Sequence, residues 1–236
     1  MLKTVKFSIF ASMKRCSLII LSLFLVAIVS FAQWNKISEG DLKDGDILFV
    51  VNTKGNAITA VTTGLNNLPI DHAAICYGDF HRPSHYVIQA AYRGVEITPL
   101  DTFMVEAVSD GSKEPLVLVG RLNVPFDFQA TYRNAVSYLF RPYDYYFDAS
   151  DDEIYCSELI LQSYVDTNGD KIFKPIPMTF RDSDGNIPQY WTQYYARRGL
   201  PVPEGAPGSN PAELSRRKQI TILGCIQSSN FQTSKK

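Results

Sequence analysis

The sequence is poor in the residue types that most often carry chemistry. It has three histidines and four cysteines among 236 residues, and the cysteines form neither a CxxC pair nor a set typical of zinc. It also lacks a dense run of lysine or arginine, so a nucleic-acid partner is not expected. We predict no metal and no cofactor, and the search for a reactive site is confined to a few side chains.

Acidic residues are missing from the N-terminal segment, residues 1–32. Basic residues there precede an apolar run over 16–29, and Ser30 and Ala32 follow as small residues. This order is typical of a signal peptide with Gln33 as the first mature residue. An uncleaved anchor helix is the alternative, although spanning needs about 20 apolar residues. We predict an exported protein, periplasmic or secreted, that contacts a membrane only if this segment stays uncleaved.

The rest of the chain has the size of one ordinary domain. Without residues 1–32 it keeps 19 Lys and Arg against 24 Asp and Glu, a formal net charge of −5. No internal repeat and no second domain is visible. We predict a single domain over 33–226, which has enough residues for a full core, and a polar tail over 227–236.

Apolar and β-branched runs predict a small antiparallel sheet. Residues 46–51 predict a strand buried on both faces, and 72–77 and 86–91 predict two more. The last two are joined by a short loop and are most simply an antiparallel pair. In that pairing Gln89 lies diagonal to His72, within reach of a polar side chain.

Helical periodicity and turn residues predict the other elements. These are short helices over 56–64 and from Pro99 to Met104, a strand over 116–122, an amphipathic helix from Asp127 to just before Pro142, a long surface loop over 201–211 and a strand near 220–223. Residues 166–170 resemble half of a calcium loop. Lys171 stands where that loop requires glycine, so we prefer a turn.

One cysteine lies where an acidic, polar approach becomes a helical pattern. Leu159, Ile160 and Tyr164 recur at helical spacing and place Cys156 in the first turn. Unpaired backbone N–H groups and the helix dipole favour the reactive thiolate there. An isolated cysteine is more often an inert core residue, so the interpretation depends on its partners.

The mature chain would hold three cysteines, an odd number. In an oxidising compartment at least one of Cys76, Cys156 and Cys225 then lacks an intramolecular partner. A Cys76–Cys225 bridge is one pairing, and the sequence does not test it.

A reactive cysteine needs a base and a group that orients the base. His72 ranks first, because a strand fixes its orientation and small residues follow it, and His85 in the loop ranks second. Gln89 could accept the imidazole N–H through its amide oxygen. The residues alone thus suggest a site of Cys156, His72 and Gln89.

Five segments occur in a characteristic order: Gly45–Phe49, Asp71–Ile75, Val87–Ala90, Pro142–Asp144 and Ile154–Leu159. This order resembles the YiiX-like family of permuted papain-like cysteine amidases and peptidases, which are circularly permuted relatives of the NlpC-type cell-wall peptidases. The resemblance covers about residues 40–180. Residues 188–215 are similar to a version found in exported bacterial members.

The resemblance implies a circularly permuted papain-like α+β fold, in which a small antiparallel β-barrel or sheet packs against helices. It implies that Cys156 is the nucleophile, His72 the general base and Gln89 the residue that orients the base. The family commonly has glutamate where this chain has Gln89. A neutral amide can fix the imidazole tautomer but cannot stabilise imidazolium by charge, so a weaker ion pair and a shifted pH optimum are expected, with loss of activity as the alternative.

The implied reaction is amide hydrolysis through a thioester. The backbone N–H of Cys156 is the first oxyanion candidate, and Tyr155 and Asp46 are further substrate or oxyanion candidates. An acidic cluster, Asp148 and residues 151–153, is expected to cap the helix or favour a basic substrate group, unless it is a solvated turn.

Three classes of function remain open. The preferred class is an exported thiol hydrolase acting on cell-envelope peptides, such as peptidoglycan fragments, or on another small amide. The second is a catalytically weak or inactive papain-like binding protein for peptide or lipid. The third is a thiol acyltransferase or thioesterase acting on lipid. A homodimer is left open.

Overall fold

The computed structural model describes residues 34–78, 84–108, 114–148 and 152–226. The predicted signal peptide, the predicted tail, His81 and Asp151 lie outside the described residues. From Lys36 onward the chain forms one compact unit. In the described ranges no helix is long and apolar enough to cross a membrane.

Seven strands form the main sheet, in the order β1-β9-β6-β2-β3-β4-β5. The strands in the described ranges are β1 Lys36–Ile37, β2 Ile47–Val51, β3 Ile70–Gly78, β4 His85–Ala91, β5 Gly94–Pro99, β6 Val117–Leu122, β7 Ile176–Pro177, β8 Pro207–Gly208 and β9 Ile220–Ile226. All neighbours pair antiparallel except β1 and β9, and β7 pairs with β8 separately. Over the described residues the sheet stays open, so of the two predicted forms the sheet is found and the closed barrel is not.

The centre of the sheet agrees with the predicted strands. All five residues of β2 are buried, as expected for a strand covered on both faces. It lies between β3 and β6. The pairing of β3 with β4 is antiparallel and brings Ile75 opposite Ile88, which confirms the predicted return of the chain.

Among the residues that the structure describes, five α-helices accompany the sheet: α1 Leu100–Glu106, α2 Phe128–Val136, α3 Cys156–Ser163, α4 Gln189–Ala196 and α5 Pro211–Leu214. The side chain of Asp127 caps α2 by accepting a hydrogen bond from the Ala130 N–H. Pro142 was predicted to end this helix, but the helix stops six residues earlier. The chain continues in tight turns, and Phe140 adopts a φ of 69°, which an α-helix cannot contain.

Two other segments differ from prediction. Residues 57–61 form turns rather than a helix, although the Asn56 side chain accepts the N–H groups of Ile58 and Thr59 as a cap would. The Ala60 N–H bonds to the Asn56 carbonyl as in an α-helix, but the next N–H, that of Val61, bonds to the Ile58 carbonyl three residues back, as in a turn. The loop predicted over 201–211 contains β8 and the first residue of α5.

The turn preferred over 166–170 is confirmed, with Asp166 Oδ1 accepting two backbone N–H groups.

Helix α3 packs against α2, β3, β4 and α5. Leu159, Ile160 and Tyr164 are buried, and the Tyr164 hydroxyl donates a hydrogen bond to the Gly45 carbonyl. This packing holds the start of α3 against the strand that carries His72.

Candidate active site

Cys156 is the first residue of α3, where sequence periodicity places it. Tyr155 precedes it with extended backbone angles and provides no side-chain cap. The cysteine is 4% exposed and is a free thiol. Because the first-turn N–H groups of a helix have no partners within the helix, negative charge on this sulfur is favoured.

His72 lies on β3, opposite Val50 of β2, with its ring next to Cys156. Burial acts to lower the pKa of His72, but the hydrogen bond and negative charge of Cys156, together with Gln89 and Asp71, raise this pKa above its usual value. The Nε2 atom lies 2.7 Å from Gln89 Oε1. The nitrogen left for the thiol is therefore Nδ1.

Gln89 lies on β4 and is 1% exposed. Hydrogen bonds of its amide group to β5 fix its orientation. Its amide nitrogen donates to Thr98 Oγ1 at 3.0 Å and to Glu96 Oε1 at 3.4 Å, both on β5. The amide oxygen must then face His72, where it accepts the Nε2–H. This arrangement keeps neutral Nδ1 unprotonated, so it can take the proton of the thiol.

Tyr143 completes the group, and sequence reasoning assigned it no role. Its hydroxyl hydrogen-bonds to Cys156. Burial, the charges of Cys156 and Asp144 and this hydrogen bond raise the pKa of Tyr143 well above its usual value. The hydroxyl therefore stays protonated as a donor. A bridge between Tyr143 and Ile154 holds this segment beside the start of α3.

The segment after Tyr143 is held by a buried carboxyl group. Asp144 is 1% exposed and accepts the backbone N–H groups of Tyr146, Phe147 and Asp148 at 2.6, 3.0 and 2.9 Å. Burial raises the pKa of Asp144 to about 6, although these hydrogen bonds act against the rise. Asp144 thus shapes the wall of the site rather than contacting the thiol.

Neither further oxyanion candidate donates to this site. The Tyr155 hydroxyl accepts the Ser209 N–H at 3.1 Å and lies near Met178 Sδ. Asp46 forms a salt bridge with Arg121 at 2.7 Å and lies four residues along β2 from the partner of His72, about 13 Å away at strand spacing. We therefore remove Asp46 from the candidate site, because its carboxylate forms a structural ion pair with Arg121.

The second candidate base is also elsewhere. His85 lies opposite Gly78, six residues along β3 from His72, or about 20 Å at strand spacing. Its Nδ1 is 3.5 Å from Glu39 Oε1. Of the acidic cluster, Asp152 is exposed and Glu153 half-buried, as a solvated turn would be.

The other two thiols, Cys76 and Cys225, do not form a disulfide with each other. Cys76 and Cys225 are free, and strands β2 and β6 separate their strands β3 and β9. Three strand spacings amount to about 14 Å, well beyond the ~7 Å between Cα atoms that a disulfide allows. Burial and the neighbouring Asp46 raise the pKa of Cys76 far above its usual range, so Cys76 is an inert core thiol.

A wide cleft of about 1100 Å³ opens in front of His72 and Gln89. Six of the aromatic residues in its walls are Tyr92, Tyr145, Phe147, Tyr190, Trp191 and Tyr194. The last three belong to α4, a helix that was not predicted from the sequence. Arg198 lies over the rings of Tyr194 and Tyr146, at 4.3 and 4.8 Å from their centroids. Within the described ranges no group of three or more His, Cys, Asp or Glu residues could hold a metal ion.

A thiol at a helix start, facing an imidazole that a side-chain amide orients, is the arrangement of papain-like proteins. Comparison with family models places the chain more narrowly. The model described as permuted papain-like amidase enzyme, YaeF/YiiX, C92 family, matches residues 41–224. The chain therefore belongs to this family, and the membership indicates a hydrolase that acts on amides.

A solved structure agrees with this fold. The metalloprotein YiiX from Escherichia coli O157:H7 matches with a TM-score of 0.59 at 20% sequence identity, over 78% of this chain and 97% of that one. At this identity the similarity supports the permuted papain-like fold alone. Comparison with curated proteins finds no match.

Proposed function

We propose that the protein is a thiol hydrolase that cleaves an amide bond, with Cys156 as nucleophile, His72 as base and acid, and Gln89 as orienting residue. The observation that supports it most is the 2.7 Å contact between His72 Nε2 and Gln89 Oε1, which turns Nδ1 toward the thiol. The proposal rests on a base that is already oriented before any substrate arrives.

In the first step the Cys156 sulfur attacks the amide carbonyl carbon after its proton passes to His72. The carbonyl oxygen becomes an oxyanion, for which the Cys156 backbone N–H and the Tyr143 hydroxyl are the donors in place. The C–N bond then breaks as His72 gives its proton to the leaving amine, and a thioester remains on Cys156. His72 next removes a proton from water, whose oxygen attacks the thioester and releases the acid and the free thiol.

The amide at Gln89 distinguishes this site from one with glutamate. Gln89 is neutral, and the carboxylate on its far side from the imidazole is Glu96, which accepts from the Gln89 amide at 3.4 Å. The negative charge of Asp71 also raises the pKa of His72. We propose that Glu96 polarises the amide and so supplies part of the missing charge. The imidazolium is stabilised less than it would be by direct contact with a carboxylate.

We further propose that the protein is exported and acts on peptides of the cell envelope. The signal-peptide pattern of residues 1–32 supports export. The width of the cleft and its aromatic walls suit a substrate larger than a single amino acid.

The test is product release from natural material. Incubation of the protein with muropeptides should release free amines, and Cys156→Ala should release none while retaining bound peptide for mass spectrometry. Fatty-acid release from lipids, without amine release, would contradict the amidase proposal and favour a thioesterase or acyltransferase.

One observation favours a second candidate, a weak or inactive binding protein. The neutral Gln89 leaves the imidazolium without a direct charge partner. In that case Cys156→Ala and the unchanged protein would bind the same envelope peptides equally well, and neither would release amines.

A further inference from the structure

A second pocket, much narrower than the wide cleft and next to it, contains the thiol in its wall. It is lined by Cys156, the turn that contains Val61, the segment that contains Met178 and Phe180, and the start of α5. Measured as the space open to the centre of a water molecule, its volume is about 40 Å³ against about 1100 Å³ for the wide cleft. One water needs roughly 10–15 Å³ by this measure, so the pocket holds about three non-hydrogen atoms.

The walls of this narrow pocket are suited to an apolar group. Val61, Met178 and Phe180 are buried and belong to one apolar cluster. Among the residues that line the pocket, Asp71 is the one with a charge, and it also lines the wide cleft. The Tyr155 hydroxyl already accepts a hydrogen bond from the Ser209 N–H, so it does not need a hydrogen-bond partner on the ligand.

The wall of the narrow pocket formed by Met178 is tightly packed. Gly208 on β8 approaches Met178 so closely that a Cβ at this position would collide with the Met178 side chain. The Met178 side chain therefore has no free space on its Gly208 side.

The two catalytic groups divide between the two spaces. Cys156 lines the narrow pocket, while His72 and Gln89 line the wide cleft. In the proposed reaction the acyl carbon becomes bonded to Cys156, and the leaving amine receives its proton from His72. The acyl group must then extend into the narrow pocket, and the amine portion must occupy the wide cleft.

We infer that the narrow pocket is an acyl-group site that selects substrates with a short apolar acyl group, about three non-hydrogen atoms beyond the carbonyl, on a bulky amine. The inference rests on the proposed hydrolase function. It fixes the orientation of the bound substrate, since the wide cleft takes the amine that is released and the narrow pocket takes the acyl group that forms the thioester.

A series of acyl amides of 7-amino-4-methylcoumarin, with acyl chains from two to ten carbons, tests the inference. We expect the highest kcat/KM at three to four carbons. A loss of about tenfold or more should follow for each carbon too many, since a hydrophobic pocket discriminates against one extra methylene by roughly 10–200-fold. Equal kcat/KM across the series would overturn the inference while leaving the hydrolase function intact.

Variants separate the pocket from a general effect. Met178→Ala should move the optimum to longer chains, and Val61→Phe should abolish four-carbon activity while retaining two-carbon activity. Val61→Ala serves as the enlarging variant if Met178→Ala does not fold. Leu200→Ala, an exposed position outside both spaces, should leave the optimum unchanged. An optimum that none of the pocket variants moves would overturn the assignment.

Intact-mass measurement with p-nitrophenyl esters of the same acids distinguishes the two levels of failure. A short acyl group should add its mass to the protein and not to Cys156→Ala. Absence of an adduct from every donor would overturn the proposed function and the inference together. Adducts that form equally fast with two and ten carbons would overturn the inference alone.

Discussion

Replacement of Gln89 by leucine removes the acceptor of the His72 Nε2–H while keeping a side chain of similar size. Gln89 is buried and leucine would fill its space, so the Nε2–H would lose its 2.7 Å partner. An unsatisfied buried donor costs about 1–3 kcal/mol, and each 1.4 kcal/mol is a factor of ten in rate. We expect kcat for a coumarin amide to fall by roughly 5–150-fold with KM nearly unchanged, because the group orients the base and does not touch the substrate.

The assay for Gln89→Leu needs a control for folding, since Thr98 and Glu96 also lose a partner. A companion variant, Thr98→Val, removes one hydrogen bond to the Gln89 amide but leaves its oxygen at His72. Thr98→Val should lower kcat much less than Gln89→Leu at a similar melting temperature. A Gln89→Leu protein that melts normally and retains full kcat would refute the orienting role.

Three further outcomes are expected. Tyr143→Phe should lower kcat by about 10²-fold with little change in KM, as loss of one oxyanion donor does. An unchanged kcat would contradict the role of the Tyr143 hydroxyl as an oxyanion donor. The folded-state pKa of Asp144, about 6, exceeds its unfolded value of 3.8, so its contribution to stability is present below pH 3.8 and is lost as the pH rises through 6. The melting temperature of Asp144→Asn should therefore lack this part of the pH dependence, and identical profiles would contradict the raised pKa. Arg121→Ala should reduce the free energy of unfolding by about 2–4 kcal/mol, below the full cost of breaking a buried pair because Arg121 is 27% exposed, and leave acylation intact. A large loss of acylation in folded Arg121→Ala would return Asp46 to the site.

The candidate site was predictable where regular structure fixes it. Strand alternation and a short connection are enough to place Gln89 diagonal to His72, because the register of two adjacent strands leaves few choices. Likewise, helical spacing alone positions Cys156 at the start of α3. These inferences needed only local periodicity.

The missed parts lie where periodicity is absent or misleading. Tyr143 lies on an irregular segment that a single bridge to Ile154 holds in place, and no local pattern predicts such a contact. Helix α4 buries only Trp191 and Tyr195, and a run rich in tyrosine has a weak helix preference. The predicted helix ran past Val136, where α2 ends, because the apolar spacing continues through turns that Phe140 makes non-helical.

The central claim is that His72, and not another histidine, activates Cys156. It is tested most directly by the second-order rate of Cys156 alkylation with iodoacetamide as a function of pH, in the unchanged protein, His72→Ala and His85→Ala. We predict fast alkylation at pH 6–7 in the unchanged protein and in His85→Ala, and a fall to the rate of a free thiol in His72→Ala. Equal rates at neutral pH in His72→Ala and the unchanged protein would contradict the account.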